Sequence, residues 1–447
     1  LDTRLGRHAI VVGAGIAGLA AAAALSDHFE HVAVLERDEL PPDPGPRPGS
    51  PQSTQLHGLL GGGQRALSTL FPDFDRDLAA AGAVPVRIGL EDRMEFPGAD
   101  PFPRRDLGML GFTMTRPLLE STLARRLRQL PNVTVHERCR VLEILADDDG
   151  TVGGVRCQGI HGVEGILPAD LIVDASARGA LTLSLLKAGG WPEVEQTDVG
   201  IDIHYATTTF AAPRRARDWK VAVTFPDGPS DTKTGYVFEV EGDRLMALVS
   251  ERHAPAPAAD HAGFLELLRQ LRTPTLYDAL KTAEPLDKVH RFAFPESSWR
   301  HFERLKDFPR GLVPIGDAIC RFNPVYGQGM AIAAVEACVL KDLLRERAGD
   351  SDPLAGLGQA YFAGVQPHIA AAWSMSATPD FVHPLTRGTP PADLEKSLQF
   401  TAALYRIAAR DPEIHRLAVS VRHLAESAAR LRDPELVRRV EAEMADA

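Results

Sequence analysis

The hydrophobic pattern changes period several times along the chain. Residues 8–12 (HAIVV) form an uninterrupted apolar run, the mark of a short strand buried on both faces. An alanine-rich stretch then reads as a helix to Ser26, and residues 31–35 return to strand texture. Proline and glycine dominate 40–51, which predicts a loop. Helices are expected over 58–70 and, more strongly, over 116–130, where Pro117 sits in the first turn. Alternating apolar and polar residues over 133–146 and 153–159, around Asp147-Asp-Asp-Gly150, predict a hairpin, and 171–174 is another buried strand. From 200 to 250 the runs GIDIHYATTTF, VAVTF and LMALVS are separated by Pro, Gly and Asp turns, which predicts an inserted antiparallel sheet. Helical texture returns at 262–271, followed by a strand at 311–315 and a helix at 329–345. Beyond Ser351 the pattern is almost wholly helical, and no internal repeat is visible.

A chain of 447 residues exceeds what one hydrophobic core usually serves, so several structural units are expected. The formal net charge of -11 argues against nucleic acid as a partner, because an acidic surface repels phosphates. The four cysteines lie far apart with no CxxC pair, which argues against a disulfide scaffold and for a reducing compartment. No apolar run approaches the roughly 18 residues of a membrane helix, and no signal peptide is read. The expectation is a cytoplasmic protein without a transmembrane segment.

Two motifs carry chemistry. In Gly13-x-Gly15-x-x-Gly18 the first glycine permits a tight turn, the second lets a pyrophosphate approach the backbone, and the third lets helix and strand pack closely. The helix that begins there, with Ala17 in its first turn, presents free N–H groups and a positive dipole end. Glu36 ends the second strand, where a carboxylate can bind a ribose diol. This motif alone does not separate FAD from NAD. The second motif, within 311–340 (GLVPIGDAICRFNPVYGQGMAIAAVEACVL), is a buried strand ending at Gly316-Asp317, a Pro/Gly loop and a helix. Asp317 could bind a polyol, and the helix beginning near Gly327-Gln-Gly-Met330 could stabilise negative charge on a planar acceptor.

At these residues the chain resembles the FAD-dependent monooxygenases with the para-hydroxybenzoate-hydroxylase type of fold. The stretch Gly316-DAxxxxNPxYGQGM is similar to the branch containing squalene epoxidase and the bacterial polyether polyene epoxidases, as are Arg47-x-Gly-x-Pro-Gln52, His57 and Leu59-Leu-Gly-Gly-Gly. Arg116-Pro-Leu-Leu-Glu, Val173-Asp-Ala-Ser-Ala-Arg178, Trp373, Asp380-Phe381, Pro384 and Gly388 extend the resemblance. It implies an α/β fold: a Rossmann-like FAD-binding domain (GR2-type), an inserted antiparallel-sheet substrate domain and a helical C-terminal region. The segments expected are 1–75, 113–195 and 291–350 for FAD binding, 76–112 and 196–290 for the substrate domain, and 351–447 for the helical region.

The same resemblance implies FAD contacts from Gly13, Gly15, Ala17, Gly18, Glu36, Arg37, Arg47, Arg116, Val141, Asp174, Gly316 and Asp317. The loop Pro324, Tyr326, Gly327, Gln328, Gly329 and Met330 would flank the ring. The family's Asp-Gly pair stands here as Asp174-Ala175, and a histidine common in the Arg47 segment stands as Gln55. Implied chemistry is oxygen transfer from O2 through a flavin C4a-hydroperoxide to an apolar polyketide- or isoprenoid-like substrate, by epoxidation in preference to hydroxylation and in secondary metabolism. NADPH or NADH would supply electrons, directly or through a flavin reductase. Tyr205, Phe210 and Phe225 are the candidate substrate-pocket residues. His57, Cys320 and Cys338 are read as local hydrogen-bonding or packing residues. The alternatives are a non-redox flavoprotein that templates a cyclisation, and an FAD-dependent reductase of isoprenoid double bonds. Halogenases that resemble this fold use a lysine in the N-terminal half and a Trp-x-Trp pair; here the first lysine is Lys187 and the four tryptophans form no such pair.

Overall fold

The computed structural model describes residues 4–212 and 217–445. Its first layer is a five-stranded sheet in the order Leu312–Pro314, Leu171–Asp174, Gly6–Val12, Phe29–Leu35, Val133–His136, with every pairing parallel. The central strand is apolar throughout its C-terminal half because both of its faces are covered (Ile10, Val11 and Val12 are all buried). The helix Ile16–Ser26 is apolar all round and buried along its length, with the helix Gly329–Glu346 packed on it.

The second layer is a seven-stranded sheet in the order Cys320–Arg321, His290–Arg300, Gln196–Ala211, Arg244–Arg252, Lys233–Val240, Val221–Thr224, Asp92–Glu95. All pairings are antiparallel except the last, where Val221–Thr224 runs parallel to Asp92–Glu95. The sheet therefore draws strands from the segments expected at 76–112 and 291–350 as well as from 196–290. Its longest strand, Gln196–Ala211, changes register between Gly200 and Ile203, a bulge that re-aims the side chains beyond it.

One expectation needs correction. Residues 133–146 do not form a single hairpin arm: Val133–His136 joins the parallel sheet, and Arg140–Ala146 pairs antiparallel with Val152–Gln158. The break falls at Arg138, whose φ of 55° lies in the left-handed region. The amphipathic helix runs over Arg116–Leu127 and is capped by Thr115, whose hydroxyl accepts from the Leu118 N–H.

The C-terminal part begins with the helix Leu357–Asp380, which reaches from the first layer to the second sheet. The helices Leu394–Arg410, Pro412–Arg422 and Pro434–Ala445 then form a small core of their own around Ala403, Leu404, Ile407, Ala418, Leu436 and Val440. Among the described residues no helix is long and apolar enough to cross a membrane.

Candidate functional site

The glycine turn has the shape its sequence demands. Gly13 has a φ of 101°, and a Cβ there would lie 2.8 Å from the Ala175 carbonyl oxygen. A Cβ on Gly18 would lie 1.9 Å from the Gly13 carbonyl oxygen, so helix and turn meet only because the side chain is absent. A Cβ on Gly15 would meet nothing within 4 Å: the space before it is open and belongs to a cavity. Among the described residues no side chain caps the helix behind it, which leaves the N–H groups of its first turn for a ligand.

That cavity is about 2380 Å³, against the roughly 300–1,000 Å³ of a usual ligand site. It is large enough for a dinucleotide and a second molecule together. From the sequence-predicted set it brings together Gly13, Gly15, Ala17, Glu36, Arg37, Arg47, Arg116, Val141, Gly316, Asp317, the six loop residues from Pro324 to Met330, Tyr205 and Phe225. Gly18 packs behind the turn.

Two predicted residues lie elsewhere. Asp174 is fully buried under the following loop: its carboxylate accepts from the Ser176 N–H and hydroxyl (3.0 and 2.5 Å) and from the Thr182 N–H and hydroxyl (3.1 and 2.6 Å). It shapes the loop that lines the cavity and does not face the cavity itself. Phe210 is also outside. It sits an odd number of positions from Tyr205 on one strand, so it points to the opposite face, where it packs on Phe264 and His261.

The charged groups around the turn form one connected network. Glu36 accepts from the Ala14 N–H (2.7 Å) and the Asp38 N–H (3.0 Å), and pairs with Arg47 Nη1 at 2.9 Å. Arg47 also donates to the Ala14 carbonyl (3.0 Å) and to Glu120 (3.4 Å). Glu120 in turn receives Arg116 Nε at 2.8 Å, and Arg116 Nη1 lies 3.5 Å from His57 Nε2. Most of Arg47's five donors are thus committed to fixing the turn, and Glu36 keeps about one free acceptor site for a ribose hydroxyl. Burial, and then the Arg116 charge, push His57 down to about 3, so this cavity histidine is neutral at physiological pH.

On the opposite wall, Gly316 (φ 66°) turns the chain so that Asp317 faces the cavity. Among the described residues the Asp317 carboxylate has no hydrogen-bond or ion-pair partner, and burial holds its carboxyl above the usual range. Among the described residues the buried Oε1 of Gln328, 3% exposed, has no partner, and a Cβ on Gly329 would meet open space. An acceptor facing a void, an unpaired amide oxygen and a bare helix start fit a ligand with polyol hydroxyls and a polar ring edge. These are the groups FAD presents.

The loop bearing Gln328 is held from behind by a network that the motif reading missed. Asp380, fully buried, receives Arg252 Nη2 (3.0 Å), both contacts of Asn323 Nδ2 (3.0 Å each) and the Tyr326 hydroxyl (3.0 Å). Asn323 accepts from the Val325 N–H and from the Tyr205 hydroxyl, and Tyr236 donates to the Val325 carbonyl at 2.9 Å. Asp380 was visible only as part of a resemblance; its partner Arg252 ends a strand far away in sequence and carries no local signal.

An NAD(P)-binding Rossmann-like domain is matched over residues 11–45, the strand, glycine turn, helix and strand described above. Protein Rv3254 of Mycobacterium tuberculosis is 34% identical over 396 residues, which is 83% of this chain and 80% of that protein. The chain belongs to the same family as Protein Rv3254. Squalene epoxidase 4 of Arabidopsis thaliana is 25% identical over 346 residues, 75% of this chain and 61% of its own length. Among solved structures, PqsL of Pseudomonas aeruginosa in complex with 2-aminobenzoylacetate aligns at TM-score 0.62 with 17% identity, covering 84% of this chain and 98% of its own. The flavin-dependent halogenase CmlS aligns at 0.63 with 17% identity, covering 95% and 78%. The Diels–Alderase PyrE3 aligns at 0.60 with 17% identity, covering 93% and 80%. The chain thus has a Rossmann-like domain, mixed α/β content and a helical C-terminal region, the fold it shares with these flavoprotein structures. Those three neighbours differ in chemistry, so the fold by itself leaves the reaction open.

Proposed function

We propose that the chain is an FAD-dependent monooxygenase that epoxidises, or hydroxylates, a largely apolar substrate of polyketide or isoprenoid type. The observation that carries the reading is the continuity of one cavity, from the glycine turn past Asp317 and the 324–330 loop into an apolar chamber on the second sheet. The open helix start at Gly15 would hold the pyrophosphate, Glu36 a ribose hydroxyl and Asp317 the ribityl chain. Val141 and Arg37, which also line the cavity, would face the adenosine. When bound and reduced, FAD supplies the oxygen-activating chemistry.

What the protein adds is positioning and exclusion of water. The chamber wall includes Tyr205, Val221, Val223, Phe225, Tyr236 and Phe292, and stacked Phe96 and Phe225 (ring centroids 4.6 Å apart) close its side. An apolar wall holds a hydrocarbon and keeps water from the reacting centre. The Asp380 network fixes the 323–327 backbone beside it, so the helix start at Gly329 is presented rigidly. The likeness to squalene epoxidase 4 supports epoxidation over aromatic hydroxylation.

Incubation with 18O2, NADPH or NADH, and an alkene-bearing extract tests the reading. Oxygen-18 is expected in an oxygenated product. Turnover that proceeds anaerobically with oxidised FAD would support a non-redox template instead, and a saturated product formed without oxygen would support a double-bond reductase. Reduction that requires an added flavin reductase would assign the electrons to a partner protein.

A further inference from the structure

The buried arginines around this cavity are matched to partners: Arg252 to Asp380, Arg47 to Glu36 and Glu120, Arg116 to Glu120. Arg422 is different. It ends the helix Pro412–Arg422 and lines the chamber. Among the described residues its buried Nε has no hydrogen-bond partner. Among the described residues no hydrogen bond or ion pair reaches its guanidinium; its ring contact is with Phe96, at 6.0 Å from the centroid. A guanidinium stays charged at any working pH, and a half-buried unpaired one beside an apolar wall is costly unless a ligand completes it.

The surroundings select the kind of ligand. Asp92 is an acidic group within its field: it lies beyond ion-pair distance, accepts the Gly89 N–H at 2.5 Å, and is held by burial above the usual carboxylate range. The neighbouring His415 and His423 are pushed down to about 4 and about 3, burial being the largest cause in each, so neither adds positive charge. Tyr236 also feels the Arg422 charge, and its hydroxyl is spent on the Val325 carbonyl. The nearby Arg104 is spent on Asp218 and the nearby Arg105 on the Ala408 and Ala409 carbonyls, so among the described residues Arg422 is the cation here whose fork stays open. The planar fork suits the two oxygens of a carboxylate.

We propose that Arg422 anchors the carboxylate of an otherwise apolar substrate, which makes the substrate a long-chain acid and not a neutral hydrocarbon. The acid's chain would lie along Phe96 and Phe225, on the wall that Tyr236 ties to the 324–327 loop. This rests on the monooxygenase reading only for what then happens to the bound acid.

The test is isothermal titration calorimetry of the full chain with palmitoleic acid and with its methyl ester, bound flavin being quantified in the same samples. The acid is expected to bind at least tenfold more tightly than the ester, about 1.4 kcal/mol. Arg422→Met should abolish that preference and Arg422→Lys should keep part of it. An acid that binds no better than its ester, absence of binding included, overturns the proposal, as does a preference that survives in Arg422→Met. If Arg422→Met melts below the assay temperature, the wild-type and Arg422→Lys comparisons decide. An acid preference without bound FAD would sink the monooxygenase reading and leave the anchor standing; bound FAD without the preference would do the reverse.

Discussion

Glu336 offers a quantitative check on the packing beneath the site. It lies on the helix Gly329–Glu346, fully buried, with Oε2 accepting the Gly316 N–H at 2.6 Å and Oε1 without a partner among the described residues. Burial pushes its carboxyl up to about 8 from 4.5; the Gly316 N–H opposes the shift and Asp317 adds to it. Between those two values the folded chain holds a proton that the unfolded chain has released. The stability this gives is complete below about pH 4.5 and drains away as pH rises through 8. From pH 6 to pH 8 the loss is about 2 kcal/mol. At about 2.1 cal/mol/K per residue, a chain of this length has an unfolding entropy near 0.9 kcal/mol/K, so the loss is about 2 °C in Tm. Glu336→Gln mimics the protonated form and should not show it. Melting curves of both proteins from pH 6 to pH 9 should therefore diverge in favour of the variant by about 2 °C. His57 and His423, both lowered, act with the opposite sign, gaining stability as pH rises towards 6.5; they are common to both proteins and cancel. A difference that stays flat across this range, or favours the wild type at high pH, refutes the reasoning.

Other expectations follow from the site geometry. Gly18→Ala puts a Cβ against the Gly13 carbonyl, and the purified variant should lose most of its flavin absorbance per chain and melt at lower temperature. Asp380→Ala leaves the buried Arg252 charge uncompensated and should cost about 3–5 kcal/mol, while adding Arg252→Met should recover most of the loss in Tm. Asp317→Ala should weaken FAD binding about tenfold or more in a fluorescence titration, with the melting of the FAD-free chain little changed, because one hydrogen bond to a charged group is worth about 1.5–3 kcal/mol.

The fold was legible where local pattern and global role agree. The strand-turn-helix-strand around Gly13 is set by steric facts that glycine alone satisfies, and the 316–330 segment carries its own turn and helix-start chemistry. Strand pairing was less legible: the parallel partner of Val221–Thr224 is Asp92–Glu95, and nothing local to either four-residue strand names the other. Strand alternation from Tyr205 sends Phe210 to the far face, a placement the two-residue period alone dictates. Asp174 looked like a cofactor ligand because a resemblance preserves residue type, not orientation; its acceptors are taken by Ser176 and Thr182. Arg422 carried no motif at all. Its interest lies in what it lacks, which only the three-dimensional surroundings disclose.

The most direct test of the central claim is the identity and stoichiometry of what the cavity binds. The chain should be purified, freed of ligand, and titrated separately with FAD and NAD, with the bound molecule released by denaturation and identified by mass spectrometry. The account expects FAD at about one per chain, with NAD bound far more weakly and displaced by FAD. A chain that takes up no FAD, or that prefers NAD in the glycine turn, would contradict it.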